Sequence, residues 1–214
     1  MDDVTPMNGP LVLGREDTVK LIEMDLARTF PQLGLFQPSG PLHEPLKDVL
    51  QAYVCYRPDI GYVQGMSFIT AMLLINMDSY EAFQTLVSML NRGCHMAFFT
   101  MDIPRIEGYK AAFNDLLAEV LPEVSRHFIA HNVPTEMYLL DWLMTIFSKS
   151  LPLELAMRIW DRYFLYGEIF LFRCALGILN TMSVRLLSQE FDGIAYDLTV
   201  RMRYFIAFYI ILWY

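Results

Sequence analysis

Residues 15–31 read REDTVKLIEMDLARTFP and set the pattern for the rest of the chain. Four apolar residues recur at every third or fourth position of this stretch: Val19, Ile22, Leu26 and Phe30. That spacing places them on one face of an α-helix. Pro31 ends the pattern, because a proline inside a helix removes a hydrogen bond and clashes with the preceding turn. The stretch therefore predicts an amphipathic helix that ends before Pro31.

The same spacing recurs along the chain, at residues 45–57, 66–77, 80–91, 106–120, 152–166 and 168–189. The run 66–77 is apolar nearly all round, so we expect its helix to be buried on every side. Asp78 and Glu81 predict a capping box at the start of the next helix, and Gly93 predicts its end. We expect residues 94–104 to be less regular. No strand-like alternation appears, so the sequence predicts an all-α fold.

The composition excludes several classes of protein. Hydrophobic residues make up 55% of the 214, which excludes a disordered chain. Sixteen Lys and Arg against 24 Asp and Glu leave a net charge of −8, so we expect no nucleic-acid partner, because a phosphate polymer would be repelled. The three cysteines are far apart in sequence, which argues against a disulfide framework and fits a reducing compartment.

The end of the chain has a different character. Residues 204–214 are eleven consecutive apolar residues, whereas a helix that spans a bilayer needs about 20. Two interpretations stay open for this run. One is a buried last helix or a truncated or altered C-terminus, and the other is a segment that anchors the protein at a membrane surface.

Asp25 and Arg28 form the first constellation of polar residues that packing does not explain. They lie three positions apart, beside the apolar stripe of the first helix. One interpretation is an exposed ion pair, which would contribute only about 0.2–0.5 kcal/mol. The other is a cation that a carboxylate holds at the end of a helix, ready to reach across an interface. Arginine suits that role because it stays charged and can bind phosphate oxygens through two N–H groups.

Gln64 and Gly65 form the second constellation, directly before the buried helix at 66–77. One interpretation is a polar turn in which Gly65 allows neighbouring backbone to approach closely. The other is a side-chain amide held at a helix N-terminus. There Gln64 could orient a single water molecule without acting as a base.

Together the two constellations resemble the signature motifs of the TBC domain of Rab GTPase-activating proteins. The matching residues are Ile22-x-x-Asp25-x-x-Arg28 and Tyr62-x-Gln64-Gly65-Met66. A later conserved segment of the family is similar to Asp141-Trp142, Phe147-Ser148, Leu151-Pro152-Leu153 and Arg158-Ile159-Trp160-Asp161. The motifs occur in the family's order.

The resemblance implies a two-lobed helical fold and acceleration of GTP hydrolysis on a GTP-loaded Rab GTPase. It implies that Arg28 is an arginine finger, that Gln64 is a glutamine finger and that Asp25 orients Arg28. Tyr62, Gly65 and Met66 would shape the loop that presents Gln64. The chain would be an activator without an active site of its own. It would need no metal or cofactor, because the GTPase brings GTP and Mg²⁺; the sequence also lacks a P-loop motif.

We expect three segments: a lead-in at 1–14, a TBC-like domain at 15–190 that is partial at its N-terminus, and an atypical apolar segment at 191–214. The stretches Cys55-Tyr56-Arg57-Pro58 and Phe170-Leu171-Phe172-Arg173 resemble TBC proteins of endosomal recycling and autophagy. That implies an intracellular, cytoplasmic protein with peripheral association to trafficking membranes. A catalytically inactive scaffold of the same fold that binds a Rab GTPase remains the alternative.

Overall fold

The computed structural model describes residues 15–202 of the chain. Within that range it contains eleven α-helices and no strand, which confirms the all-α prediction. In chain order the helices are α1 (Arg15–Arg28), α2 (His43–Tyr56), α3 (Met66–Asn76), α4 (Ser79–Leu90), α5 (Gly93–Phe99), α6 (Ile103–Val120), α7 (Pro122–Ala130), α8 (Leu139–Met144), α9 (Leu153–Tyr166), α10 (Glu168–Leu186) and α11 (Phe191–Tyr196). Short 3-10 turns lie at Pro31–Leu33 and Thr135–Met137, and a π-helical turn, Asp197–Arg201, follows α11.

The helices form two groups, as the resemblance implied. Helices α1 to α4 pack mainly on one another, and α6 to α10 form the second group. Helix α5 lies between them and contacts α4 on one side and α6 and α8 on the other. Every residue from Met66 to Leu74 is buried, so α3 is the central helix of the first group, as its apolar sequence predicted.

Helix α4 begins where the capping pattern placed it, since the side chain of Asp78 accepts a hydrogen bond of 2.9 Å from the backbone N–H of Glu81. Two neighbouring predictions are wrong. Gly93 does not terminate α4 but is the first residue of α5, with φ of +42°. The supposedly irregular stretch 94–104 holds most of α5 and the start of α6. Helix α5 has seven residues, five of them buried, so it is too short and too uniformly apolar to show a helical period.

Helix α10 is long and apolar enough to span a bilayer by length and composition. Its buried residues nevertheless follow a helical stripe: Leu171, Phe172, Ala175, Ile178, Leu179, Met182 and Leu186. This stripe packs against α6, α7, α8 and α9, so α10 is a core helix of the second group.

The predicted end segments fall largely outside the described residues. The lead-in at 1–14 and the apolar run at 204–214 both lie there, so the interpretations of that run stay predictions. Inside the described range, Asp197 is 1% exposed and its carboxylate pairs with Arg185 of α10. This ion pair attaches the turn after α11 to the second group.

Candidate functional site

Arg28 is the last residue of α1, and its guanidinium is held by Asp25. The Nε of Arg28 donates to Oδ1 of Asp25 at 2.7 Å, and Nη2 contacts the same oxygen. The Asp25 side chain is only 3% exposed, whereas that of Arg28 is 53% exposed. The interpretation as an exposed ion pair is therefore wrong for the carboxylate. A buried anion holds a cation that faces solvent, so the carboxylate fixes the orientation of the guanidinium at the surface.

Tyr62 connects this pair to the second motif. Its hydroxyl donates to Oδ2, the other carboxylate oxygen of Asp25. Burial raises the pKa of the Tyr62 hydroxyl, and the hydrogen bond to Asp25 raises it further. The phenol therefore keeps its proton at neutral pH and remains a donor. Asp25 thus binds Arg28 through one oxygen and Tyr62 through the other, although Tyr62 lies 37 positions away in sequence.

A second link between the motifs was missed from the sequence. Thr29 donates from Oγ1 to the backbone carbonyl of Asp25 at 2.6 Å, and the same Oγ1 lies 2.9 Å from Oγ of Ser67. Thr29 and Ser67 are both fully buried. The available signal was a pair of small hydroxyl residues directly beside the two motifs, but hydroxyls also occur in ordinary helix turns. This buried contact fixes the end of α1 against the start of α3.

Gln64 is exposed, in the short segment between α2 and α3. Gly65 follows it as the N-cap of α3 with φ of +103°, a conformation that side-chain-bearing residues rarely adopt. The backbone N–H of Val63 lies 3.4 Å from Sδ of Met66, and Met66 is fully buried. Gly65 and Met66 therefore shape the turn that carries Gln64. A Cβ on Gly65 would lie 3.6 Å from the Cγ2 of Thr145, so the side chain of Thr145 lies directly beside this turn.

The beginning of the same segment is anchored by Arg57. Its guanidinium donates to both oxygens of Asp59, at 2.9 and 2.7 Å, and its third nitrogen contacts Oδ1 of Asn91 at the end of α4. The segment is thus held to α4 at one end and, through Tyr62, to α1 near the other. Gln64 extends into solvent from a constrained backbone.

The aromatic residues of the later motif serve packing, whereas Arg158 and Asp161 are exposed. Trp142, Phe147 and Trp160 are buried, and the indole Nε1 of Trp160 donates to Oγ of Ser148 at 3.2 Å. Asp141 pairs with Lys149 at 2.8 Å. These contacts hold α8 and α9 together. Within residues 15–202, no hydrogen bond or ion pair links them to Asp25 or Arg28.

A second carboxylate, Glu168, joins separate parts of the chain at the start of α10. It accepts a 2.8 Å hydrogen bond from the backbone N–H of Cys94, and Oε2 lies 3.4 Å from the Tyr109 hydroxyl. The neighbouring His95 is fully buried, with the hydroxyl of Tyr163 3.4 Å from its Nδ1. Burial lowers the pKa of His95 to about 4, so its ring is neutral at physiological pH.

The exposed groups of the first group of helices can donate hydrogen bonds to an oxygen-rich ligand on another molecule. Arg28 offers a fixed cation, and Gln64 offers both a donor and an acceptor. In the range 15–202 no group of three or more His, Cys, Asp and Glu side chains is placed to hold a metal ion.

Comparison with known proteins agrees with the motifs. The profile of the RabGAP-TBC family, described as the Rab-GTPase-TBC domain, matches residues 8–187. TBC1 domain family member 12 of Xenopus tropicalis is 47% identical over 191 residues, covering 89% of this chain and 28% of that protein. TBC1 domain family member 14 of Homo sapiens is 49% identical over 185 residues, covering 86% of this chain and 27% of that protein. The chain thus spans little more than a quarter of the length of these relatives.

Two solved structures have the same fold. The Chlamydomonas flagellar RabGAP TBC domain superposes with a TM-score of 0.72 at 32% identity, covering 86% of this chain and 61% of that one. The Ypt/Rab-GAP domain of Gyp1p superposes with a TM-score of 0.74 at 18% identity, covering 88% and 68%. At that lower identity the second comparison supports the fold alone.

Proposed function

This chain belongs to the Rab-GTPase-TBC domain family, and we propose that it stimulates GTP hydrolysis by a small GTPase of the Rab family. The observation that carries the proposal is the buried Asp25 carboxylate, which holds the exposed guanidinium of Arg28 and the phenol of Tyr62 together. This contact supports the proposal because it joins the two motifs while the guanidinium of Arg28 faces solvent. Arg28 and Gln64 would enter the nucleotide site of the partner from there.

Arg28 acts on the transferred phosphoryl group. In the transition state negative charge spreads over the equatorial oxygens, and a guanidinium supplied by another protein stabilises it. Such an arginine accelerates hydrolysis by about 10³–10⁵-fold. The hold of Asp25 contributes by orientation, because a guanidinium that is already fixed loses less conformational freedom when it enters the site.

Gln64 acts on the attacking water. Its amide oxygen accepts from that water and its NH₂ donates, so the side chain positions the nucleophile in line with the phosphoryl group. The positive φ of Gly65 and the buried Met66 set the direction in which Gln64 extends. GTP and Mg²⁺ come with the Rab partner. We place the protein in the cytoplasm, at the surface of trafficking membranes, where such a partner is available.

The test is single-turnover GTP hydrolysis with a panel of Rab proteins, using the 214-residue chain beside its Arg28→Ala and Gln64→Ala variants. We expect stimulation of at least one Rab protein, a loss of about 10³-fold with Arg28→Ala and a smaller loss with Gln64→Ala. Arg126→Ala is the matched control, because Arg126 is an exposed arginine on α7, in the second group of helices. It should behave as the wild type.

Two results would contradict the proposal. Stimulation that survives Arg28→Ala would exclude Arg28 as the finger. Binding of GTP-loaded Rab without any rise in hydrolysis would support the inactive scaffold instead.

A further inference from the structure

The junction between α9 and α10 carries the densest group of exposed apolar side chains in residues 15–202. Phe164, Leu165, Tyr166 and Ile169 lie within six positions and are 53%, 75%, 61% and 60% exposed. We propose that these four residues, here called the α9–α10 tip, insert into the surface of a membrane that contains anionic lipids. This inference goes beyond the proposed function and does not rest on stimulation of GTP hydrolysis.

The shape of the tip favours a bilayer over a protein surface. Phe164, Leu165 and Tyr166 are the last three residues of α9, and at about 100° per residue they span roughly 200° around the helix axis. All three are exposed, so the end of α9 has solvent on more than one side. A protein partner would need a pocket to cover such an end, whereas fluid lipid can close around it.

Arginines lie close behind the apolar side chains, although the chain as a whole has a net charge of −8. Arg162 precedes Tyr166 by one helical turn, and the exposed Arg173 follows Ile169 by one turn. One turn of helix is about 5.4 Å long, and an apolar surface at a membrane lies about 5–10 Å deep. Both cations would therefore lie near the lipid phosphates when the tip reaches the acyl chains. An arginine near an anionic surface strengthens binding by about fivefold.

The acidic groups around the tip do not cancel this charge. Glu168 begins α10, but its carboxylate accepts the hydrogen bond from the backbone N–H of Cys94 and so is directed into the protein. Asp161 is the nearest exposed carboxylate on α9. Arg92 adds a third cation, because it lines one cavity together with Phe164. Three arginines thus stand against two carboxylates, one of which is turned inward.

Other exposed apolar residues lack these features. Ile129 on α7 is 74% exposed and Val184 on α10 is 85% exposed, but neither has another exposed large apolar residue within five positions along the chain. Single apolar residues at the surface are normal, whereas a contiguous patch with a polar rim marks a contact with a protein or a membrane. Tyr166 fits a membrane, because its ring is apolar while its hydroxyl can hydrogen-bond at the level of the lipid headgroups.

Vesicle flotation of the 214-residue chain tests the tip, with vesicles of phosphatidylcholine that contain about one third phosphatidylserine. We expect Leu165→Gln and Ile169→Gln each to weaken binding about fivefold, and the double variant about twentyfold. Both residues are exposed, so the variants should keep the fold, which circular dichroism checks. Ile129→Gln is the matched control, since it makes the same change at a more exposed isoleucine of another helix. It should bind vesicles like the wild type.

Arg173 tests the charge of the surface. Arg173→Gln should weaken binding to these vesicles about fivefold, and added salt should weaken binding of the wild type, because both reduce the attraction to anionic lipid. Vesicles of pure phosphatidylcholine should bind the wild type and Arg173→Gln equally weakly. Equally strong binding of the wild type to both kinds of vesicle would contradict the preference for anionic lipid.

Flotation of the double variant like the wild type would overturn the proposal, and it is the result expected if residues 204–214 alone bind the vesicles. Absence of wild-type binding would overturn it too. If the wild type then forms dimers in analytical ultracentrifugation that the double variant does not form, the tip is an interface between two copies of the chain. Stimulation of a soluble Rab protein without vesicles should be the same for the wild type and the double variant. The proposed function can therefore fail while the tip still binds a membrane, and the reverse.

Discussion

Asp25 and Glu168 are both carboxylates that join separate parts of the chain, and they differ in what they hold. Asp25 binds a tyrosine hydroxyl from one side and a guanidinium that is half exposed from the other. Glu168 binds a backbone N–H and approaches a tyrosine hydroxyl, and neither is a charged group at the surface. A carboxylate that bridges helices is therefore no sign of function by itself. What distinguishes Asp25 is the charged guanidinium that it holds toward solvent.

The two carboxylates also differ in their surroundings. Glu168 occupies the space where a side chain on Gly93 would lie, so it fills the junction between α5 and α10. Asp25 is buried beside a face of α1 on which Arg28 is half exposed. We call Asp25, Arg28 and Tyr62 the Asp25 cluster, and Glu168, Cys94, His95 and Tyr109 the Glu168 cluster. We expect changes at the Asp25 cluster to affect catalysis and changes at the Glu168 cluster to affect stability.

The largest expected effect tests whether Asp25 acts only through Arg28. Asp25→Asn should lower the stimulated hydrolysis rate by about a hundredfold, and Arg28→Ala by about a thousandfold. The double variant should be no slower than Arg28→Ala alone, because residues that act as a unit are not additive. Single-turnover kinetics of the three variants measure this. Multiplied losses in the double variant would mean that Asp25 has a separate catalytic role.

The second prediction concerns His95, beside Cys94 in the Glu168 cluster. Above pH 6.5 its ring is neutral in both the folded and the unfolded chain. Between about pH 6.5 and 4 the unfolded chain binds a proton that the folded protein, with the pKa of His95 lowered to about 4, does not. The free energy of unfolding should therefore fall as the pH falls, by about 1.4 kcal/mol per pH unit at most and about 3 kcal/mol over this window.

Denaturant unfolding at several pH values measures this slope. His95→Phe keeps an aromatic ring between Phe99 and Tyr163 but cannot titrate, so its free energy of unfolding should depend less on pH. An unchanged slope in His95→Phe would show that other groups cause the pH dependence.

The third prediction tests whether Glu168 contributes to stability alone. Glu168→Ala removes the acceptor for the Cys94 N–H, so it should lower the free energy of unfolding by about 2 kcal/mol. The stimulated rate per folded molecule should stay that of the wild type. Glu154→Ala is the matched control, because Glu154 is also an acidic residue in the first turn of its helix but is exposed. If Glu168→Ala lowered the stimulated rate without lowering the free energy of unfolding, the assignment of the Glu168 cluster to stability would be wrong.

The smallest effect is expected for Tyr62→Phe. This change removes one hydrogen bond to Asp25 and leaves the ring, so the rate should fall by roughly fivefold to tenfold. The free energy of unfolding should change by about 1 kcal/mol. Tyr56→Phe, on the exposed end of α2, controls for loss of a tyrosine hydroxyl. Equal rates for the two variants would show that the Tyr62 hydroxyl does not help to orient Arg28.

Much of the fold could be predicted from local patterns. The amphipathic spacing of α1 and the apolar sequence of α3 correspond to what the structure shows, because a helical face must bury its apolar residues whatever it packs against. Helix α5 could not be found in this way, since seven residues make barely two turns and five of them are buried. Gly93 was misplaced for a related reason. Its positive φ serves the start of α5 and the approach of Glu168, which lies 75 residues further along the chain.

The sequence by itself supplied the candidate residues Asp25 and Arg28, because their spacing on one helix is a local property. The order of the motifs along the chain also indicated the family, and the comparisons confirm it. Only the tertiary structure decided that Asp25 is buried while Arg28 is exposed, and that Tyr62, Thr29 and Ser67 join the two motifs. These contacts depend on how α1 packs against α3 across a separation of nearly 40 residues. Burial and partners are properties of that packing, so no local pattern could specify them.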